Sequence, residues 1–280
     1  MITGTSTGIG HGVVHEFIRK GYFVFGNVRT SKDAFRLQAE FGNNFKPLIF
    51  DITNEAAVYR NAALVKEIIR EEGLSGLINN AGIAVSGPLL FQPIQELRNQ
   101  FAVNVIGQII VIKAFAPLLG AGNNCPFPPG KIIFISSSSG KLAHLFLGAY
   151  TGSKHAIEGM ARVLRMEMML YGIDVFIIGP GAVNSAIWDK ASAQEVAEVY
   201  KNTDYATPIK RFQKYFISSG KSGYEINTVG RKIVAIFEKK HHSLRYVVVK
   251  NRIKKWIIPR VLPSKFFDKM VAKKFGIGKE

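Results

Sequence analysis

The sequence predicts an α/β fold, a doubly wound parallel sheet in a single domain, and three observations predict it. Six short runs rich in β-branched and aromatic residues alternate with longer segments of helical apolar spacing. A glycine-rich turn near the start opens directly into one of those segments. The 280 residues, 47% hydrophobic, suffice to bury one large core, and a doubly wound domain of this size ordinarily stays undivided. Alternation of this kind means strands in parallel, wrapped by helices.

The first element is the turn Thr3-Gly4-Thr5-Ser6-Thr7-Gly8-Ile9-Gly10. Its glycines let the backbone turn tightly and bring amide N–H groups against a pyrophosphate at a helix N-terminus, the Rossmann-type arrangement. Glycine clusters also occur in ordinary loops, so the turn decides nothing until companions are found. A buried strand of about five residues should precede it. Only Met1 and Ile2 do, and the expectation is a truncated N-terminus.

Strands follow over residues 23–28, 47–50, 76–79, 131–135, 174–178 and 245–249, with helices between them. The first of these ends at Val28-Arg29, where an NAD-selective protein usually carries an acid for the adenine ribose. Taken alone, Arg29 reads as a solvated surface residue. Behind a dinucleotide loop, its guanidinium suits a 2′-phosphate, so NADP(H) is preferred and NAD(H) is the alternative. Residues 120–130, rich in Gly, Pro and Asn, read as a surface loop and not as a boundary. Residues 185–223 break the rhythm, being polar and dotted with Ile187, Trp188, Tyr200, Tyr205, Phe212, Tyr215 and Phe216. They predict either an insert covering a substrate or a solvated connection, with aromatics that pack it down or join copies of the chain. The tail, residues 250–280, is basic and amphipathic, with Phe266, Phe267, Met270, Val271 and Phe275 among Lys265, Lys269, Lys273 and Lys274.

A formal net charge of +17 admits nucleic acid, an anionic membrane surface or a polyanionic cofactor as the counterpart. No nucleic-acid recognition motif accompanies the charge, and nucleic acid is set aside. The tail offers peripheral membrane contact, although a helix packed on the domain with its lysines in water is the preferred reading. Cys125 is the single cysteine, so no intrachain disulfide forms and a reducing, cytoplasmic setting is expected. Lys113 interrupts the best apolar stretch, no secretory leader is visible, and no metal is expected.

Chemistry enters with two further motifs. Ser136-Ser137-Ser138-Ser139-Gly140 follows the strand at 131–135, placing hydroxyls at the C-terminal edge of a parallel sheet, where such folds bind ligands. Tyr150-Thr151-Gly152-Ser153-Lys154 then opens a helix, and Tyr150 and Lys154, four apart, share one face. A nearby ammonium favours phenolate over phenol and should draw the Tyr150 pKa down toward a value useful for proton transfer. Tyr150 can then protonate a carbonyl oxygen, to which Ser137 donates a hydrogen bond. Each residue alone has a bland reading as packing, capping or solvated surface; the combination carries the information.

These pieces, in this order, resemble the classical short-chain dehydrogenase/reductase family. The likeness runs from Thr3 to about Ser185 through Gly4-x-x-x-Gly8-x-Gly10, Asp51, Asn79-Asn80-Ala81-Gly82, Asn104, Ser137, Tyr150-x-x-x-Lys154 and Pro180-Gly181-x-Val183. Ser137 stands thirteen positions before Tyr150, the family's usual spacing, which favours it over Ser136 and Ser138. The resemblance implies hydride exchange between NADP(H) and a carbonyl or alcohol. Catalytic roles would fall to Tyr150 (general acid/base), Ser137 (substrate polarisation), Lys154 (nicotinamide ribose) and Asn104 (a water relay to Lys154), with Ser137 and Tyr150 also binding substrate. Cofactor contacts would come from Gly4, Thr5, Ser6, Gly8, Ile9 and Arg29, from Asp51 and Ile52 at the adenine, from Asn80 and Ala81 along the ribose, and from Val183 at the carboxamide. The insert resembles the covering segment of members acting on steroids, retinoids and other lipid-like substrates, and the family implies a homo-oligomer, dimer or tetramer. Two other readings stand beside catalysis: a non-catalytic NADP(H) sensor or scaffold, and a peripheral membrane module on a reductase fold.

Overall fold

The computed structural model describes residues 1–185 and 198–277. Its main sheet is parallel throughout and built from β1 (Val24–Val28), β2 (Phe45–Ile49), β3 (Gly76–Asn79), β4 (Lys131–Ile135), β5 (Asp174–Pro180) and β8 (Arg245–Val248). All six predicted strands are present. The second begins two residues early, at Phe45, because it lies on the sheet's edge: Phe45 and Leu48 face inward, while Lys46, Pro47 and Ile49 sit where an edge tolerates charge and proline.

The first three residues hold the two halves of this sheet together. Ile2 bridges in parallel to Gly26 of β1 on one side and to Ile78 of β3 on the other. Four backbone bonds stitch the lane: Ile2 N to Phe25 O at 2.9 Å, Asn27 N to Ile2 O at 2.8 Å, Thr3 N to Ile78 O at 3.0 Å, and Ile78 N to Met1 O at 2.9 Å. Spatial order is therefore β2, β1, Ile2, β3, β4, β5, β8. These residues lie in the lane where a strand is expected before the glycine turn, bonded to both neighbours because each offers a free edge.

Helices cover both faces. On one lie α1 (Gly8–Arg19), α2 (Ser31–Phe41) and α9 (Ile226–Phe237), burying Val13, Phe17, Leu37, Val229 and Ile233 against the sheet. On the other lie α3 (Glu55–Ile69), α4 (Ile94–Phe101), α5 (Gln108–Phe115) and α6 (Gly148–Glu167), burying Val58, Val65, Val111, Phe115 and Ile157. Both cores are apolar, so winding to either side of the central lane follows from burial. A continuous helical run, Ile94–Leu119, is long and apolar enough to cross a membrane, yet 61% of its apolar window is buried inside the fold, which makes it a core element.

Past β5, the short β6 (Val183–Asn184) pairs with β7 (Tyr224–Glu225). Between them lie α7 (Glu198–Lys201) and α8 (Ala206–Lys221). The predicted insert is thus largely helical where it is described, and it is no solvated connection: Tyr200, Ile209 and Phe212 are buried with Phe146 and Leu147. Ile187 and Trp188 lie outside the described residues. The tail folds as α10 (Ile258–Val261) and α11 (Ser264–Phe275), the latter packed on α8 through Phe275 against Phe212.

Candidate functional site

In a doubly wound sheet the ligand crevice opens at the C-terminal ends of the strands where the order reverses, here between the Ile2 lane and β3. The glycine turn leaves one side of that crevice. Gly4 and Gly8 have φ of 67° and 61°, a region that side chains rarely adopt, and a Cβ on Gly4 would collide with Ala81. Asn27 fastens the turn from below, accepting from Gly4 N at 3.2 Å and donating to Phe50 O at 2.7 Å. The Thr5 hydroxyl donates to Asn27 O at 3.0 Å. Just past β3, Asn80 donates to Thr3 O and Gly4 O, and the Thr3 hydroxyl accepts from the backbone N–H groups of Asn80 and Ala81.

This rigid cradle ends at α1, whose N-cap Thr7 makes no side-chain bond to the helix and whose first turn holds no acid. The amide dipoles at that terminus remain available to an anion. Beyond β1, Arg29 is exposed and close enough to Asp51 to act on its charge. Burial pushes the Asp51 carboxyl up, but bonds from the Thr53 hydroxyl and N–H, with the Arg29 charge, hold it below the usual value. Ile52 is buried beside them and packs on Gly107. A basic residue that sequence reasoning missed, Arg36 of α2, donates to Ser6 O at 2.6 Å. Its only signal was a position two turns into the helix after Arg29. Glycine cradle, uncapped helix terminus and flanking arginines together fit a phosphorylated dinucleotide. Val183, in β6 just past β5, is buried in the same apolar cluster as Ile2, Ile178 and Val229.

The reactive end lies past β4. Ser137 caps a short turn, its hydroxyl accepting from Ser139 N at 3.1 Å and bonding to the Tyr150 hydroxyl. Ser136 is engaged elsewhere, donating to Glu158 Oε1 at 2.8 Å, so among the candidate serines the geometry brings Ser137 to Tyr150. Lys154 is buried, its Nζ 2.9 Å from Ile135 O and 5.8 Å from the centre of the Tyr150 ring. Burial lowers its pKa to about 8, against an upward pull from Glu158.

One electrostatic expectation is corrected. Tyr150 lies above its ordinary pKa, raised by burial and only partly offset by the Ser137 bond. The lysine ammonium bonds to a backbone carbonyl and stands beyond hydrogen-bonding reach of the ring, so desolvation outweighs it. Asn104 is fully buried on a π-helical turn, Ala102–Gly107, a geometry frequent at functional sites. Its amide ties Ile83 by two bonds, at 2.8 and 2.9 Å, and donates to Ser153 Oγ at 3.1 Å, holding the loop after β3 against α6.

Behind Ser137 lies an ion pair that the sequence did not reveal. Glu158, one turn past Lys154, accepts from Arg245 Nε at 3.0 and 3.1 Å, and Arg245 also donates to Ser137 O at 2.9 Å. The serine turn is therefore pinned to β8 through the half-buried Arg245 and the buried Glu158. An acid on the apolar face of a helix was the available signal; its partner, 87 residues away, was not.

Comparison with known proteins places these features in context. The short chain dehydrogenase family matches residues 1–196. An NADPH-dependent 3-dehydrocapnine reductase from Ornithobacterium rhinotracheale is 36% identical over 98% of this chain and 95% of its own. A 3-ketodihydrosphingosine reductase from Bacteroides thetaiotaomicron is 30% identical over 88% and 85%. Among solved structures, a short-chain dehydrogenase from Streptomyces avermitilis superposes with a TM-score of 0.75 at 21% identity, covering 100% of this chain and 97% of that one.

Proposed function

The chain belongs to the short-chain dehydrogenase family, and on that premise we propose that it is a cytoplasmic NADPH-dependent reductase of a lipid-like ketone, of the class that includes 3-dehydrocapnine and 3-ketodihydrosphingosine. One observation carries the reading: the Ser137 hydroxyl bonds to Tyr150, with Lys154 Nζ 5.8 Å from its ring centre, beside an apolar cluster against which Tyr150 packs. Bound NADPH supplies the hydride to the carbonyl carbon. Tyr150, kept protonated by burial, donates its phenolic proton to the carbonyl oxygen, while Ser137 donates a hydrogen bond to that oxygen as charge grows on it.

Lys154 balances the resulting phenolate and binds the nicotinamide ribose; with a pKa of about 8 it can exchange its own proton under ordinary conditions. Asn104 supports a water relay that returns the proton to Lys154. Gly4, Thr5, Ser6, Gly8 and Ile9 hold the pyrophosphate, Arg29 the 2′-phosphate, Asp51 and Ile52 the adenine, Asn80 and Ala81 the ribose, and Val183 the carboxamide. Phe146, Tyr205, Phe212 and Phe216 line the substrate's apolar portion. Met160, Val163 and Met166, exposed along α6, supply an apolar face for assembly as a homo-oligomer.

The test follows NADPH and NADH consumption with a long-chain 3-ketone, using the unmodified protein, Tyr150→Phe and Arg29→Gln. Tyr150→Phe should lose at least about a hundredfold in kcat while still quenching or enhancing NADPH fluorescence on binding. Arg29→Gln should raise KM for NADPH and leave NADH unchanged. Equal turnover by Tyr150→Phe and the unmodified enzyme overturns the assignment.

A further inference from the structure

We propose that the outer face of the C-terminal helices docks on an anionic lipid bilayer. Residues 250–277 carry nine lysines and arginines against one acid, Asp268. Two aromatics of this stretch turn inward. Trp256 is 5% exposed and stacks between the guanidinium groups of Arg245 and Arg260, at 4.5 and 4.8 Å; Phe275, also 5% exposed, meets Phe212 and Tyr215. The opposite face is apolar and uncovered. Ile253, Ile257 and Val261, spaced four apart, are 69%, 43% and 72% exposed, and Phe266 and Met270, again four apart, are 58% and 48% exposed. Scattered exposed hydrophobics are ordinary; a row of large ones along the π-helical turn Ile253–Ile257, α10 and α11 is not.

Charge selects the occupant. A second copy of the chain would set this cationic face against its own like charges, and a nucleic acid would take the lysines without burying the isoleucines and phenylalanine. An anionic bilayer takes both, headgroups meeting the lysines and the acyl boundary meeting the apolar row. The inward side of α11 strengthens the case. Through Phe275 and Val271 it belongs to the same apolar cluster as Phe212, Phe146 and Tyr150, so docking sets the wall of that cluster at the lipid surface. Binding to lipid is read without turnover and stands or falls independently of the reaction proposed above.

The experiment is co-sedimentation of the full chain with phosphatidylcholine vesicles, with and without phosphatidylglycerol. Binding should require phosphatidylglycerol and weaken with salt. Lys265→Gln, Lys269→Gln and Lys273→Gln together should lower partitioning on the order of a hundredfold, from about 1 kcal/mol per basic residue. Phe266→Ser with Met270→Ser should weaken it independently, and both variants should keep the NADPH affinity of the parent. Absent binding, equal binding to neutral vesicles, or unaltered binding by both variants overturns the proposal. So does a fall in molar mass by light scattering in Phe266→Ser with Met270→Ser without vesicles, which assigns the face to contact between copies.

Discussion

Removing Glu158 tests how the serine turn is held. The Glu158 side chain is 1% exposed and that of Arg245 12%, so Glu158→Ala leaves a guanidinium in a largely dry site with its main counter-charge gone. Breaking such a pair from one side costs about 3–5 kcal/mol. Lys141, which also reaches Glu158 at 3.3 Å, is 45% exposed and adds no more than about 1 kcal/mol. Against a total stability of about 5–15 kcal/mol the loss is large, and at about 2–4 °C per kcal/mol the Tm falls by roughly 6–20 °C. Urea denaturation of Glu158→Ala, Arg245→Met and the double variant measures it. The double variant should cost less than the sum of the two, because each single change strands a buried charge and the double strands none. In Arg245→Met, kcat should fall while NADPH affinity holds, since the lost bond is to Ser137 O. A double variant that equals the sum, or a cost below about 1 kcal/mol for Glu158→Ala, refutes the pair as the anchor of the turn.

Other outcomes follow from the same geometry. Lys154 has its pKa lowered from 10.5 to about 8 by burial, so between those values the unfolded chain holds a proton that the folded chain has released. Stability should therefore rise with pH above about 8, and the rise should vanish in Lys154→Met; a urea midpoint flat across that window in the parent sinks the argument. Over the same range kcat should decline, because the reaction uses the charged lysine. Gly8→Ala meets open space and pays only for its positive φ, about 1–2 kcal/mol, whereas Gly4→Ala adds a collision with Ala81. NADPH titration and thermal melts should find Gly4→Ala the worse of the two on both scales, and equal losses would show that the contact with Ala81 is not what matters.

Much of this protein was legible because its signals are local. β-branched runs marked six strands to within two residues at either end, since strand burial on both faces demands continuous apolar side chains. Tyr150 and Lys154 share a helical face by spacing alone, and Gly4 and Gly8 adopt the left-handed backbone that a tight turn before a helix requires. Tertiary structure decided everything that depends on partners distant in the chain. Three residues, Met1 to Thr3, serve as the central lane only because β1 and β3 flank them. Ser137 was separated from Ser136 by a carboxylate on α6, and that carboxylate is itself bonded to an arginine from β8. The direction of the Tyr150 shift reversed for the same reason: spacing reports which charges are near, whereas the balance between charge and desolvation depends on how the folded chain excludes water around both.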